Sequence, residues 1–287
     1  MAPYVKGRMH IRAKGAANQT DSKFIGLWSA EPKPGSTLER LQAAYLAGIE
    51  SFDRIETRAR EHAASGRFTP AGAKQATLQS ALNDAVPSLY RARQTIKIAK
   101  AEVEALRSKI TPLQPDKTDL AAAMLRAEMR DWLRSKPQAE RDSYISKNLE
   151  RLDPQMLQAV IEVPIEMTGI SGTQRNILVE RELQARHGET FTEIKELERG
   201  IELAERSVEA SRDEVRKETG VDQKAFDELA APVEAKQLAP WLRRRPGSDE
   251  VRVVDLERGV ERLPTPEELA SGIEAATLDE FNARKAA

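Results

Sequence analysis

Residues 194–215 read IKELERGIELAERSVEASRDEV. Ile194, Leu197, Ile201, Ala204, Val208, Ser211 and Val215 succeed one another at steps of three and four without exception. An α-helix turns once in about 3.6 residues, so these positions fall in one stripe along one face. Glu196, Arg199, Glu202, Glu205 and Arg206 cover the remaining faces with both signs. Pairs three and four apart then support the helix from outside. Gly220 supplies a left-handed end to it.

The same pattern recurs upstream. In residues 82–110 the seam is Leu82, Ala85, Leu89, Ala92, Ile96, Ala99, Val103, Leu106 and Ile110, again in alternating threes and fours. Two heptad seams in one chain predict helix–helix packing of coiled-coil type. Each helix would be about 45–60 Å long at 1.5 Å per residue. Pro87 sits off the seam and predicts a kink, since proline removes one backbone hydrogen bond and crowds the preceding turn. His187-Gly188 marks a second break or kink. Alanines and a serine on the seams make a two-helix hairpin weak. That favours a third helix, residues 36–65, or pairing with another copy of the chain.

The expected fold is therefore all-α: long heptad-patterned helices in an antiparallel coiled-coil or helical bundle, a small helical insert at its tip, and irregular ends. Residues 1–35 read as a basic, flexible arm punctuated by Gly7, Gly15, Gly26, Pro32, Pro34 and Gly35. Phe24, Ile25, Leu27 and Trp28 form an apolar cluster that could dock it. Residues 36–117 and 173–220 supply the bundle, and 118–172 supply the tip. The tip is expected as short helices starting at Asp119, about 138 and Asp153, with Leu120, Met124, Trp132 and Leu133 as apolar positions of the first. Residues 221–287 read as a proline-rich extension with a short helix over 222–230 and an extended stretch, Val251 to Val254, that is either a strand or a tie to a partner.

Composition bounds the function. The 287 residues include 45 basic and 46 acidic side chains, a net charge of −1, which gives no whole-chain signal for nucleic acid or membrane. Charged residues make up 32% and aromatic ones 5%, against about 25% charged in an average domain. That balance suits elongated helices. With no cysteine, disulfides, thiolate metal ligands and a thiol nucleophile are excluded. No run approaches the length of a membrane span, and the opening residues lack the apolar core of a secretory signal. A cytoplasmic location is expected.

Catalytic, cofactor and metal constellations are not found. His10, His62 and His187 stand apart, none at metal-ligand spacing with a carboxylate. Gly169-Ile170-Ser171-Gly172-Thr173 leads into a helix but has no following lysine, so it reads as a turn and not a P-loop. Two basic features remain as possible contacts for nucleic acid or an acidic partner. One is the arm, with Lys6, Arg8, Arg12 and Lys14. The other is Arg243, Arg244 and Arg245 beside Trp241. The bland reading of the second is a solvated linker with Trp241 docked on the body.

The stretch Ala127-Glu128-Met129-Arg130-Asp131-Trp132-Leu133, followed by Ala159-Val160-Ile161-Glu162-Val163-Pro164 and Thr168-Gly169-Ile170-Ser171, resembles a pattern in uncharacterised helical proteins from the structural modules of tailed bacteriophages and prophages. That pattern has an alanine-rich turn, then a proline, then a small-residue-Gly-Leu-Ser step before another helix. Ile170 stands where leucine is usual and Thr168 where serine is usual. The likeness covers about a sixth of the chain. It implies a role in or near a virion and carries no functional residue with it. Two functions follow as expectations. The first is a non-enzymatic structural or assembly protein acting through protein–protein contacts as a homo-oligomer or larger assembly. The second is a nucleic-acid-binding accessory protein using the basic arm.

Overall fold

A computed structural model describes residues 4–12, 22–112, 116, 118–149, 151–237, 240–244, 248–255, 260–277, 280–281 and 284. The chain is a mostly all-α helical bundle with two minor sheets. It divides into two compact units, residues 1–103 with 196–287, and residues 104–195.

In the first unit, strands β1 (His10–Ile11) and β2 (Lys23–Phe24) pair antiparallel. Helix α1 (Thr37–Ala64) follows, capped by the Ser36 side chain accepting from the Glu39 amide. Leu41, Tyr45, Phe52 and Ile55 are fully buried along it. Helix α2 (Pro70–Ser80) opens with Thr69 as cap and proline in its first turn. It runs into a π-turn, Ala81–Ala85, and then into helix α3 (Val86–Arg107). The kink expected at Pro87 takes this form. In the π-turn the Val86 amide reaches back to the Ala81 carbonyl, and the extra residue gives the proline ring its room.

Helix α4 (Leu120–Arg134), α5 (Gln138–Asn148) and α6 (Pro154–Ile161) lie in the second unit. A single 3₁₀ turn, Ile165–Met167, joins them to α7 (Gly172–Thr219). That helix bends at His187, where φ is −123° and ψ 36°, the place the sequence marks. Beyond the bend every seam residue from Ile194 to Val215 is buried. A second stripe, Leu203, Ser207, Ala210 and Glu214, is buried beside it. A helix buried on two flanks is one with neighbours on both sides.

Those neighbours are α1 and α3. Lys100 pairs with Glu205, and Arg93 approaches Glu234, which also holds Arg212, so α3 runs antiparallel to α7. Arg40 meets Glu102 and Arg58 meets Asp84, so α1 is antiparallel to the α2–α3 rod. Between α1 and α7 the spacing is set by absent side chains. A Cβ on Gly48 would lie 2.5 Å from Ser207 Oγ and 3.0 Å from the Ser207 backbone carbon. The serine hydroxyl donates to the Tyr45 carbonyl at 2.7 Å, which satisfies it in a dry interface.

The N-terminal segment, expected as a flexible arm, is packed where it is described. Ile11, Ile25 and Trp28 are buried, as the apolar cluster permits. The Tyr45 hydroxyl lies 2.6 Å from the Arg8 carbonyl and 2.9 Å from that of Gly26, donating between the two. Helix α8 (Gln223–Lys236) extends past the expected stop and through Pro232. Pro232 and Glu228, whose carbonyl loses its partner there, both face solvent, and water can serve that carbonyl. The C-terminal region is a sheet, not a tie: β3 (Trp241–Arg244), β4 (Val251–Asp255) and β5 (Val260–Arg262) pair antiparallel with β4 central. Helix α9 (Pro266–Ser271) follows, begun by a capping box of Thr265 and Glu268. Trp241 stacks on Phe281 and packs with Val254 and Ala275 in a small core of their own. Among the described residues, no helix is long and apolar enough to cross a membrane.

Candidate functional site

Helix α4 is a regular helix with an irregular choice of inside. Asp119 caps it by accepting from the Ala122 amide at 2.9 Å. Its buried face carries Arg126 and Leu133, with Met129 and Arg130 half-buried. Both arginines converge on Glu162, the residue that ends α6. Arg126 Nε is 2.8 Å from Glu162 Oε2, and Arg130 Nη1 pairs with Oε1 while also donating to the Ala159 carbonyl at 3.1 Å. The three side chains are only 5%, 14% and 11% exposed. Such a triad holds α4 to α6 through charge-assisted bonds that shed most of their water. Around it lie Leu133, Ile145, Met156, Val160 and Leu178.

The opposite face of α4 is apolar and open. Leu120 is 73% exposed, Met124 67%, Leu125 44% and Trp132 41%. These residues and Ala121 occupy one arc of the helix, with Glu128 and Asp131 among them. Trp132 meets the Tyr144 ring edge-on at 4.9 Å, and the Lys136 ammonium lies 4.5 Å above the indole. Of the apolar positions read on this helix, Leu120, Met124, Ala127, Trp132 and Leu133, Leu133 is buried and Ala127 partly so. Leu120, Met124 and Trp132 face out because the arginine stripe, with Glu162 to receive it, takes the interior.

The basic residues read from the sequence are largely occupied. Arg8 binds Asp53 at 2.7 Å. Arg12, in a left-handed conformation at φ 66°, binds Glu218 at 2.7 Å and approaches Glu214 at 3.4 Å. Lys23 binds Asp213. Burial pushes the Asp213 carboxyl up, but hydrogen bonds from Lys23 and Arg216 outweigh it and hold the group well below its ordinary 3.8. The Lys6 backbone amide donates to the Trp28 carbonyl at 3.1 Å, a contact its ammonium takes no part in. The second basic feature is a strand and not a linker. Arg243 pairs with Glu261, and Arg244 with Glu274 at 2.9 Å. Lys14 and Arg245 lie outside the described residues. Among the described residues, Arg8, Arg12, Arg243 and Arg244 each pair with an acidic side chain.

The histidines have local partners: His10 an edge contact with Phe24, His62 the Thr77 hydroxyl, His187 the Thr111 carbonyl. No cluster of three or more His, Asp or Glu that could hold a metal is found among the described residues. A cleft of about 480 Å³ lies between α3 and the C-terminal sheet in the first unit; it was not legible from local spacing, because its walls come from residues some 150 positions apart. No family model, curated protein or solved structure matches the chain.

Proposed function

We propose that this is a non-enzymatic structural or assembly protein, acting through protein–protein contacts, and that a second copy of the chain covers the outer face of α4. The observation that carries the reading is the inverted helix. Large apolar side chains on a helix gain about 1.5–3 kcal/mol each when buried. Here Leu120 and Met124 stay mostly in water and Leu125 and Trp132 are partly exposed, while two arginines are taken inside. A cluster of exposed large apolar side chains of this kind, here with Glu128 and Asp131 among them, supports an interaction surface.

Self-pairing suits the ends of this face, and it brings the two Glu128 side chains together at its centre. In an isologous dimer each residue meets its counterpart's neighbour across a two-fold axis. Two α4 helices laid antiparallel about residues 127–128 bring Trp132 of one near Ala121 of the other, large against small. The same alignment sets Lys136 against Asp119. A place in a tailed-phage or prophage virion, or in its morphogenesis, is part of this proposal and is supported by the resemblance above. The segments that carry that resemblance lie together in the second unit, where Arg130 binds Glu162 and Arg134 donates to the Met167 carbonyl.

Light scattering behind a sizing column, over a tenfold concentration range, tests it. The expected result is a dimer or larger oligomer that becomes a monomer in the Leu120→Glu, Met124→Glu variant, with an unchanged helical circular dichroism spectrum and a melting temperature that no longer depends on concentration. A wild-type monomer throughout overturns self-association. The nucleic-acid reading is not favoured: Arg8 and Arg12 are held by Asp53, Glu214 and Glu218.

A further inference from the structure

Glu128 stands at the centre of the outer face of α4, with Leu120 and Met124 to one side of it and Ala121, Leu125 and Trp132 to the other. Its carboxylate is exposed and has no partner among the described residues. Two such faces packed together bring two carboxylates to one place. Like charges set against each other in an interface oppose it unless cations join them.

A groove on the Trp132 side of the face holds such a cation. Glu140, Tyr144 and Lys147, one turn apart along α5, line a cavity of about 550 Å³ together with Trp132 and Lys136. Helix α5 therefore runs back beside the end of α4. The rings of Trp132 and Tyr144 meet edge-on at 4.9 Å, and the Lys136 ammonium is taken up by the indole, 4.5 Å above it. Lys147 is exposed and pairs with neither ring nor acid among the described residues. Glu140 is the one acid of the lining, against two lysines, so the groove is cationic. Lys136 lies eight residues beyond Glu128, about 12 Å along the helix axis and too far to answer it. Lys147 lies nine residues into α5, a return of about 13 Å that brings it back toward Glu128.

We infer, on the self-pairing of α4 proposed above, that Lys147 is the counter-charge of that interface. The α4–α5 groove of each copy seats the outer face of the other's α4, with Lys147 against the partner's Glu128 and the Trp132 and Tyr144 rings against the partner's Leu125. A two-fold axis across an antiparallel pair keeps the same flank of both helices on the same side. Both α5 helices then lie beside the axis, where the two Glu128 side chains meet, and two ammonium groups answer two carboxylates. Leu125, 44% exposed in the single chain, is covered by the same move.

The test measures dimer dissociation constants on the full chain by analytical ultracentrifugation. Lys147→Glu and Glu128→Lys are each expected to weaken self-association by at least about tenfold, because each leaves like charges alone around the axis. Labelled Lys147→Glu is then titrated with Glu128→Lys, and with Glu209→Lys, which makes the same change of charge on the exposed flank of α7. The expected result is that Glu128→Lys binds it about as tightly as wild type binds itself, while Glu209→Lys binds at least about tenfold more weakly. Equal binding of the two overturns the inference, because general attraction then explains the recovery. A wild-type dimer that is lost in the Leu120→Glu, Met124→Glu variant but unchanged in Lys147→Glu overturns this inference alone. A wild-type monomer overturns the self-pairing as well.

Discussion

Helix α7 beyond its bend and helix α4 are both striped, and they face opposite ways. On α7 the apolar seam from Ile194 to Val215 is inside, and most of the charge is outside. On α4 the arginines are inside and Leu120, Met124 and Trp132 are outside. The seam of α7 finds its complement within the chain, in α1 and α3. The apolar face of α4 is covered only at Trp132, by Tyr144 and Lys136, among the described residues of its unit, while Leu120 and Met124 stay exposed. The difference teaches that amphipathicity says a helix has two faces, while the rest of the chain decides which one is buried.

The largest effect that separates the two regions should come from truncating their apolar residues. Phe52→Ala, in the α1 core, should cost about 3–5 kcal/mol, read by chemical denaturation. Met124→Ala on α4 should change monomer stability by less than about 0.5 kcal/mol, as exposed positions do. Equal losses at the two sites would erase the distinction. The buried triad sharpens it. Glu162→Gln leaves two guanidinium groups without their counter-charge and should destabilise the second unit by about 3 kcal/mol. Replacing Arg126, Arg130 and Glu162 together by apolar residues of similar volume should restore most of that loss. No loss in the single variant would mean that α4 does not depend on its inverted interior.

Closer in size is the α1–α7 contact. Gly48→Ala gains about 1 kcal/mol in helix propensity, yet the new Cβ meets Ser207 Oγ at 2.5 Å and backbone beyond it. Overpacking of that kind costs about 1–3 kcal/mol, so the net change should be a lower melting temperature. A rise would show that α1 and α7 can move apart freely. The smallest effect concerns the N-terminal segment. Asp213 is depressed in the folded state below its ordinary 3.8. Its contribution is then fully present above about pH 4 and is lost as pH falls further. It should amount to about 1 kcal/mol, since Lys23 is partly solvated and screened. Asp213→Asn should flatten that part of the stability curve between pH 4 and pH 2, measured by urea denaturation; an unchanged curve would contradict it.

How much of this was legible follows the same divide. The two seams, the helix starts at Asp119 and Asp153 and the bend at His187 could be read because each rests on local spacing or local backbone chemistry. The C-terminal sheet was half legible. Val251 to Val254 showed strand character, but Trp241–Arg244 was hidden by its arginines, which pair across the sheet with Glu261 and Glu274. The packing of the N-terminal segment depends on Asp53, Asp213 and Glu218, far along the chain. The inversion of α4 had one sign in the sequence, Arg126 and Arg130 spaced four apart. Which stripe would turn inward depended on Glu162, more than thirty residues away, and spacing alone does not reveal that.

The central claim is that the outer face of α4 is an interface between copies. The chain has no cysteine, so a single one can be placed at will. Glu128→Cys puts a thiol in the middle of the α4 face, and Glu209→Cys puts one on the exposed flank of α7. Both are oxidised at equal concentration and run on a non-reducing gel. The account predicts a disulfide-linked dimer from Glu128→Cys that forms much faster than from Glu209→Cys, because two helices packed face to face bring such thiols within bonding range. Equal, slow cross-linking at the two sites would contradict it.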